Sequence, residues 1–287
     1  MNTPATYDKS VPANPSLAPN AAGGADAWAY LQRYTNARIG IGRTGGSQRT
    51  PSLLDFRLAH ARARDAVWSP FNPREIAEKL GALGYESLIL KTKVSDKRTY
   101  LMNPEMGRRL DDSSAELLKS YAKKWGRRDF VVVVSDGLSA TAASRHAVAM
   151  VSALFKYLPS ENWSAYPILI IPYARVKIQD AVNEILGARH ALALVGERPG
   201  LGSPDSLSAY FTYKARWASV ESDRNCISNI RPFGLPIDIA AKKLAALLEE
   251  SRVKKIGGTL LKDNFSLPAQ GILRPQNTSP ALSEGEV

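Results

Sequence analysis

Two carboxylates stand where a run of apolar residues gives way to a polar loop: Asp136 after Val131–Val134 and Ser135, and Glu197 after Ala191–Gly196. Facing each other across a cleft, two such groups could divide acid and base roles in a hydrolysis, with the outcome set by their separation. Each is equally suited to accept backbone N–H groups of its own loop or to meet a ligand, so both roles stay open. Other groups able to do chemistry are few. His60, His146 and His190 are scattered and lack partners at metal-ligand or triad spacing. Cys226 is the single cysteine, so neither an internal disulfide nor a cysteine-based zinc site can form, which fits a reducing interior. Serine-hydrolase elbow, Walker A loop, zincin helix and EF-hand loop are all missing. No self-contained catalytic set and no metal site are therefore expected.

Gly40-Ile41-Gly42-Arg43-Thr44-Gly45 matches the G-x-G-x-x-G fingerprint of dinucleotide sites. That fingerprint needs a buried strand before it and an acidic residue closing the next strand. Here Asn36-Ala37-Arg38 precedes it and Asp65 lies in a helical pattern, so the match reads as a decoy. The loop leads instead into a helix from Thr50-Pro51, with Thr50 as cap and Leu53, Leu54, Phe56, Leu58, Ala61 and Ala63 as its apolar side.

The elements that must position Asp136 and Glu197 are three uninterrupted apolar runs, Val131–Val134, Ile168–Ile171 and Ala191–Val195. Such runs suit parallel strands covered on both faces, because a one-sided strand would alternate. Helix-length segments, Thr141–Tyr157 and Val176–Leu186, lie between them and predict right-handed crossovers. The loops after the three strands, at Ser135–Gly137, Pro172–Lys177 and Gly196–Gly202, should then converge on one crevice. Asn72-Pro73 opens a helix stopped at Gly81 or Gly84, Ser87–Leu90 reads as a short strand, and Ser113–Trp125 as a helix capped by Ser113 or Ser114. Ala209–Tyr213 alternates like a further strand, Ser219–Ser228 reads as a polar passage, and Pro236–Arg252 as an amphipathic helix. The expected fold class is α/β, a Rossmann-like parallel sheet flanked by helices over 111–253, preceded by a smaller, mainly helical subdomain over 28–110. Residues 1–27 read as a disordered tail, 254–287 as a flexible one, and Trp28, Leu31 and Tyr34 or Thr35 as one face of a short docking helix.

The chain of 287 residues carries a net charge of +11, which attracts polyanions. No helix-turn-helix, zinc finger or RNP-type pattern accompanies it, and Arg57, Arg62 and Arg64 sit among aliphatics rather than aromatics. Nucleic acid is not an expected partner, though a nucleotide or nucleic-acid module built on Gly40–Gly46 and the following arginines stands as the alternative. The longest apolar stretch, Tyr166–Ala174, is interrupted by Pro167 and Pro172 and is too short to span a bilayer. Neither membrane insertion nor a secretory leader is expected.

Ser135–Ser139, Tyr173–Ile178, Glu184–Gly187, Val195–Gly202 and Cys226–Ile230 occur in an order and spacing similar to those of the small (light) subunit of ethanolamine ammonia-lyase. Ser95–Lys97, Pro104–Leu110 and Gly42–Gly45 extend the resemblance, which covers roughly residues 28 to 252. The resemblance implies an adenosylcobalamin-dependent radical enzyme that converts ethanolamine to acetaldehyde and ammonia. It also implies a barrel-shaped large subunit holding the substrate, with the small subunit closing over the cobalamin, in a dodecamer of six large and six small chains. The place implied is a bacterial microcompartment or the cytoplasm. Carried over by motif, the cofactor-binding residues would be Val176, Glu197 and Cys226. The D-x-H-x-x-G sequence that replaces the cofactor's own base is missing, so dimethylbenzimidazole is expected to remain the lower axial ligand.

Overall fold

Apolar runs this short satisfy their backbone groups only by lying side by side, and the three runs are adjacent strands of one sheet. The computed structural model describes Leu31 and residues 37–265. Readings made on 1–27 and on the Trp28–Thr35 face fall, Leu31 apart, outside the described residues.

A two-residue hairpin, β1 (Arg43–Thr44) and β2 (Ser47–Gln48), precedes α1 (Thr50–Trp68), α2 (Pro73–Ala82), β3 (Ser87–Ile89), α3 (Lys97–Met102) and α4 (Asp112–Trp125). There follow β4 (Phe130–Ser135), α5 (Ala140–Tyr157), β5 (Ile168–Ile170), α6 (Ile178–Leu186), β6 (His190–Gly196), β7 (Leu207–Tyr213), β8 (Arg224–Ile230) and α7 (Ile237–Lys254). The main sheet has six strands in the order β3-β5-β4-β6-β7-β8. β3, β5, β4 and β6 are mutually parallel, while β7 runs antiparallel to both of its neighbours. The sheet is thus mixed rather than wholly parallel. Its direction reverses because β6 and β7 are joined by a loop, Glu197–Ser206, with no crossover helix to carry the chain back.

Two apolar layers enclose the sheet. On one face Val132, Val134, Leu192, Leu194, Ala209 and Phe211 pack against α2, α5 and α7. On the other, Val131, Val133, Leu169 and Ala191 meet Leu118 of α4 and Ile178, Val182 and Leu186 of α6. Burial on both sides explains why β4 and β6 read as continuous apolar runs. β3 belongs to the 28–110 segment yet forms the edge strand of the main sheet, and Ile76 and Leu80 of α2 join the first layer, so the sheet and its core cross residue 110.

Several local readings change. Asp111, not Ser113 or Ser114, caps α4, accepting from the Ser114 N–H at 2.7 Å. Thr50 is already helical, and α1 starts without a side-chain cap. Its buried side is Ala59, Ala63 and Ala66, while Leu54, Phe56 and Leu58 are exposed. The second half of the Ser219–Ser228 passage, from Arg224 on, is strand β8. Past α7 the chain stays packed: Asn225 Nδ2 donates to the Gly258 carbonyl at 3.0 Å, the Gly258 N–H returns a 2.7 Å bond to Asn225 Oδ1, and Leu261 is buried.

Candidate functional site

Asp136 leaves β4 fully buried and committed to partners on two other elements. Its Oδ1 accepts the Tyr173 N–H at 2.6 Å, and its Oδ2 takes Lys97 Nζ at 3.1 Å. Lys97 also donates to the Gly137 carbonyl and lies 5.1 Å from the Tyr100 ring centroid. The gap between β4 and β6, where the strand order reverses, is filled by backbone. A Cβ on Gly196 would overlap the Ser139 carbonyl, and one on Gly137 would overlap Val195. The Leu138 N–H closes the gap with a 2.9 Å bond to the Gly196 carbonyl. The three loops thus meet, with the first filling the space between the other two, and Asp136 and Glu197 answer to different partners instead of forming a hydrolytic pair.

Glu197 turns toward the second face of β7. The Ser208 hydroxyl and the Asn229 N–H, at 2.9 Å, donate to Oε1. Oε2 has no hydrogen-bond partner among the described residues. A bulge makes this arrangement possible: Ser228 and Asn229 together face Ser208, and Asn229 takes φ 59°. Two residues along β7, Tyr210 pairs directly with Cys226 of β8. Cys226 is exposed as a residue, yet burial of its thiol pushes its pKa up, against the opposing effect of hydrogen bonds with Tyr210 and Ser208. Burial, and next the neighbouring Cys226, push the Tyr210 phenol up to about 12.

Val176 sits in the loop that delivers the chain to α6, and its carbonyl accepts the Gln179 N–H at 3.3 Å. With its amide nitrogen turned to the acceptors around it, buried Gln179 donates to the Tyr210 carbonyl at 3.1 Å and the Ala191 carbonyl at 2.9 Å. Lys177 holds the carbonyls of Trp217 and Ser219, each at 2.8 Å. One turn on, Asp180 and Arg224 form a bidentate pair at 2.8 and 2.7 Å, with side chains 0% and 2% exposed. Burial works against the Arg224 charge, but Asp180 outweighs it and holds the guanidinium pKa above its ordinary value. The first turn of α6 is thereby stitched to β6, β7 and β8. Glu197 and Cys226 lie on one patch, the second face of β7 and β8, where Cys226 and Ser228 are exposed and Tyr210 is half-buried, and the Val176 loop is tied to it through Gln179.

Residues 25–262 match the family model of the ethanolamine ammonia-lyase light chain (EutC). The chain belongs to the ethanolamine ammonia-lyase small-subunit family. It is 45% identical over 237 residues to the small subunit of Azotobacter vinelandii, covering 82% of this chain and 88% of that one. To the small subunit of Pseudomonas syringae pv. tomato it is 43% identical over 261 residues, 91% of this chain and 87% of that one. The Xanthomonas campestris pv. campestris small subunit is 45% identical over 256 residues, 89% and 94% of the two chains.

In this member of the ammonia-lyase small-subunit family the histidines lie away from the patch. His190 is buried between Trp163 and Tyr213, with Nε2 2.9 Å from the Ser251 hydroxyl. Ser251 donates onward to the Ile256 carbonyl, so Nε2 carries a proton and donates to Ser251. Burial holds its pKa down at about 3. His146, also buried, lies 3.7 Å from Asp205, and His60 is exposed on α1. Among the described residues no three His, Cys, Asp or Glu side chains gather as metal ligands, and no helix is long and apolar enough to cross a membrane. Gly40–Gly46 leads into and forms the turn of the β1–β2 hairpin, which is separate from the main sheet. Sequence reasoning missed Ser208, Tyr210, Gln179 and the Asp180–Arg224 pair. The first two carried a usable signal, since alternation along Leu207–Tyr213 puts Ser208, Tyr210 and Thr212 on one face. The pair joins residues 44 apart in the chain and left no local trace.

Proposed function

We propose that this ammonia-lyase subunit holds adenosylcobalamin against the β7–β8 patch, together with a large catalytic subunit, in an enzyme that converts ethanolamine to acetaldehyde and ammonia. One observation supports the assignment: Glu197 and Cys226 both reach the second face of β7, and Glu197 Oε2 is an acceptor without a partner among the described residues. These donors and acceptors fit a corrin. Glu197 can accept N–H groups of its peripheral amides, Val176 offers an apolar contact at the rim, and Cys226 is a small, weakly polar side chain with a protonated thiol. The bound cofactor supplies a radical through homolysis of its cobalt–carbon bond, and the protein's share is to hold and shield it. Glu197, fixed by Ser208 and Asn229, orients; the Val176 loop, fixed through Gln179 and Lys177, keeps water from one side.

Substrate binding and catalysis fall to the large subunit, with six large and six small chains per enzyme, in a microcompartment or in the cytosol. The arginines of α1 meet protein neighbours in that assembly rather than nucleic acid. The test is reconstitution. Purified alone, the chain should show no lyase activity, and activity should appear on mixing with the large subunit and adenosylcobalamin; turnover by the lone chain would overturn the division of labour. Glu197→Ala in the assembled enzyme should weaken cobalamin binding roughly 10- to 150-fold, the loss of one charge-assisted hydrogen bond of about 1.5 to 3 kcal/mol. Unchanged affinity would remove Glu197 from the site.

A further inference from the structure

One aromatic side chain lies on the patch between Glu197 and Cys226 without belonging to either core layer. We infer that Tyr210 is a further contact of the bound cobalamin, giving its ring to an apolar surface of the corrin and its hydroxyl to a peripheral amide. The inference rests on the cofactor assignment above and adds a residue that neither motif nor family description supplies.

Tyr210 occupies the middle of the patch by strand geometry. Along β7, Leu207, Ala209 and Phe211 point into the core formed with α5 and α7, so Ser208, Tyr210 and Thr212 point the other way. Ser208 donates to Glu197, and Thr212 meets Arg224, which Asp180 already holds. Tyr210 lies between them, opposite Cys226, and its own carbonyl is bound by Gln179, one turn from Val176. All three border residues are thus tied to Tyr210 or to its immediate neighbours on β7.

Contrast with Phe211 shows what is unfinished. Phe211 is fully buried, whereas the adjacent Tyr210 is only partly buried. An aromatic surface left to water on a rigid strand, rimmed by polar groups, gains free energy when a flat apolar surface covers it. Its hydroxyl is engaged by the Cys226 thiol and the Ser208 hydroxyl alone among the described residues, and can exchange them for a stronger partner. Around it stand the Ser208 hydroxyl, already donating to Glu197, and the Cys226 thiol, a weak hydrogen-bonding group. A ligand with a broad apolar ring and amides at its edge would meet both needs together with Glu197 Oε2.

The experiment compares Tyr210→Phe, Tyr210→Leu and Glu197→Ala with wild type in the assembled two-subunit enzyme. Cyanocobalamin binding is followed by equilibrium dialysis and visible absorption, and thermal melting is recorded for each complex. Removing the hydroxyl alone should weaken binding about fivefold, as expected for one neutral hydrogen bond, without moving the melting midpoint. Removing the ring as well should weaken it roughly ten- to fiftyfold. If Glu197→Ala weakens binding while both Tyr210 variants bind like wild type, Tyr210 is not a contact and the cofactor assignment survives. If all three bind like wild type, the patch is not the cobalamin site, and the inference falls with it. The isosteric Phe variant keeps the test decisive should the Leu variant fail to assemble.

Discussion

At the scale of single residues, two buried positions make predictions that do not depend on the cofactor. His190 is neutral in the folded protein, its pKa held at about 3, against an ordinary value of 6.5 in the unfolded chain. Burial dominates; Arg189 and Arg252 reinforce it, and Asp129 and Glu249 oppose it. Between those two pKa values the unfolded state binds the extra proton, so this group's contribution to stability falls as pH drops below 6.5. His190→Gln should therefore flatten the loss of stability between pH 6.5 and 4.5 as read from urea midpoints, and an unchanged slope would show that His190 is already charged when folded. Gly196 cannot carry a side chain, because its Cβ would meet the Asp136 and Ser139 backbone carbonyls. Gly196→Ala should cost about 3 kcal/mol or more by chemical denaturation, or prevent folding. Glu197 was legible as a strand-end carboxylate, but that it turns to β7 while Asp136 turns to Lys97 was not, since both choices depend on neighbours brought in by the fold.

At the scale of elements, the link that matters for the patch is between α6 and β8. Asp180→Ala would leave the buried Arg224 charge with only the exposed Glu221 carboxylate, 3.3 Å from its Nε, at a cost of about 3 kcal/mol. Asp180→Leu combined with Arg224→Met should recover most of that loss, since a buried ion pair contributes little net stability over a well-packed apolar pair. A denaturation double-mutant cycle checks this, and additive losses would show that the two side chains do not depend on each other. The same elements show what patterning reveals. β4, β5 and β6 were readable because both faces meet helices, as were the helices that cross between them. β8 hid in a polar passage because only Ile227 and Ile230 enter the core, while Cys226 and Ser228 face outward. The feature that obscured the strand is the one that makes it available to a ligand.

At the scale of the whole molecule, the basic excess and the scattered histidines of the described residues are compatible with the proposed role beside a large subunit. Filter binding of single-stranded and duplex DNA at two salt concentrations should give no saturable complex at physiological salt; retained, salt-sensitive binding would favour the nucleic-acid alternative. The bend in topology after β6 is the large-scale feature that apolar runs did not announce, and it exposes the β7–β8 patch at one end of the sheet. The most direct test is a cryo-electron microscopy map of the assembled large and small subunits loaded with cyanocobalamin. Corrin density should lie against Glu197, Cys226 and the Val176 loop, with the large subunit on its far side. A corrin bound elsewhere, with water over the β7–β8 patch, would contradict the account.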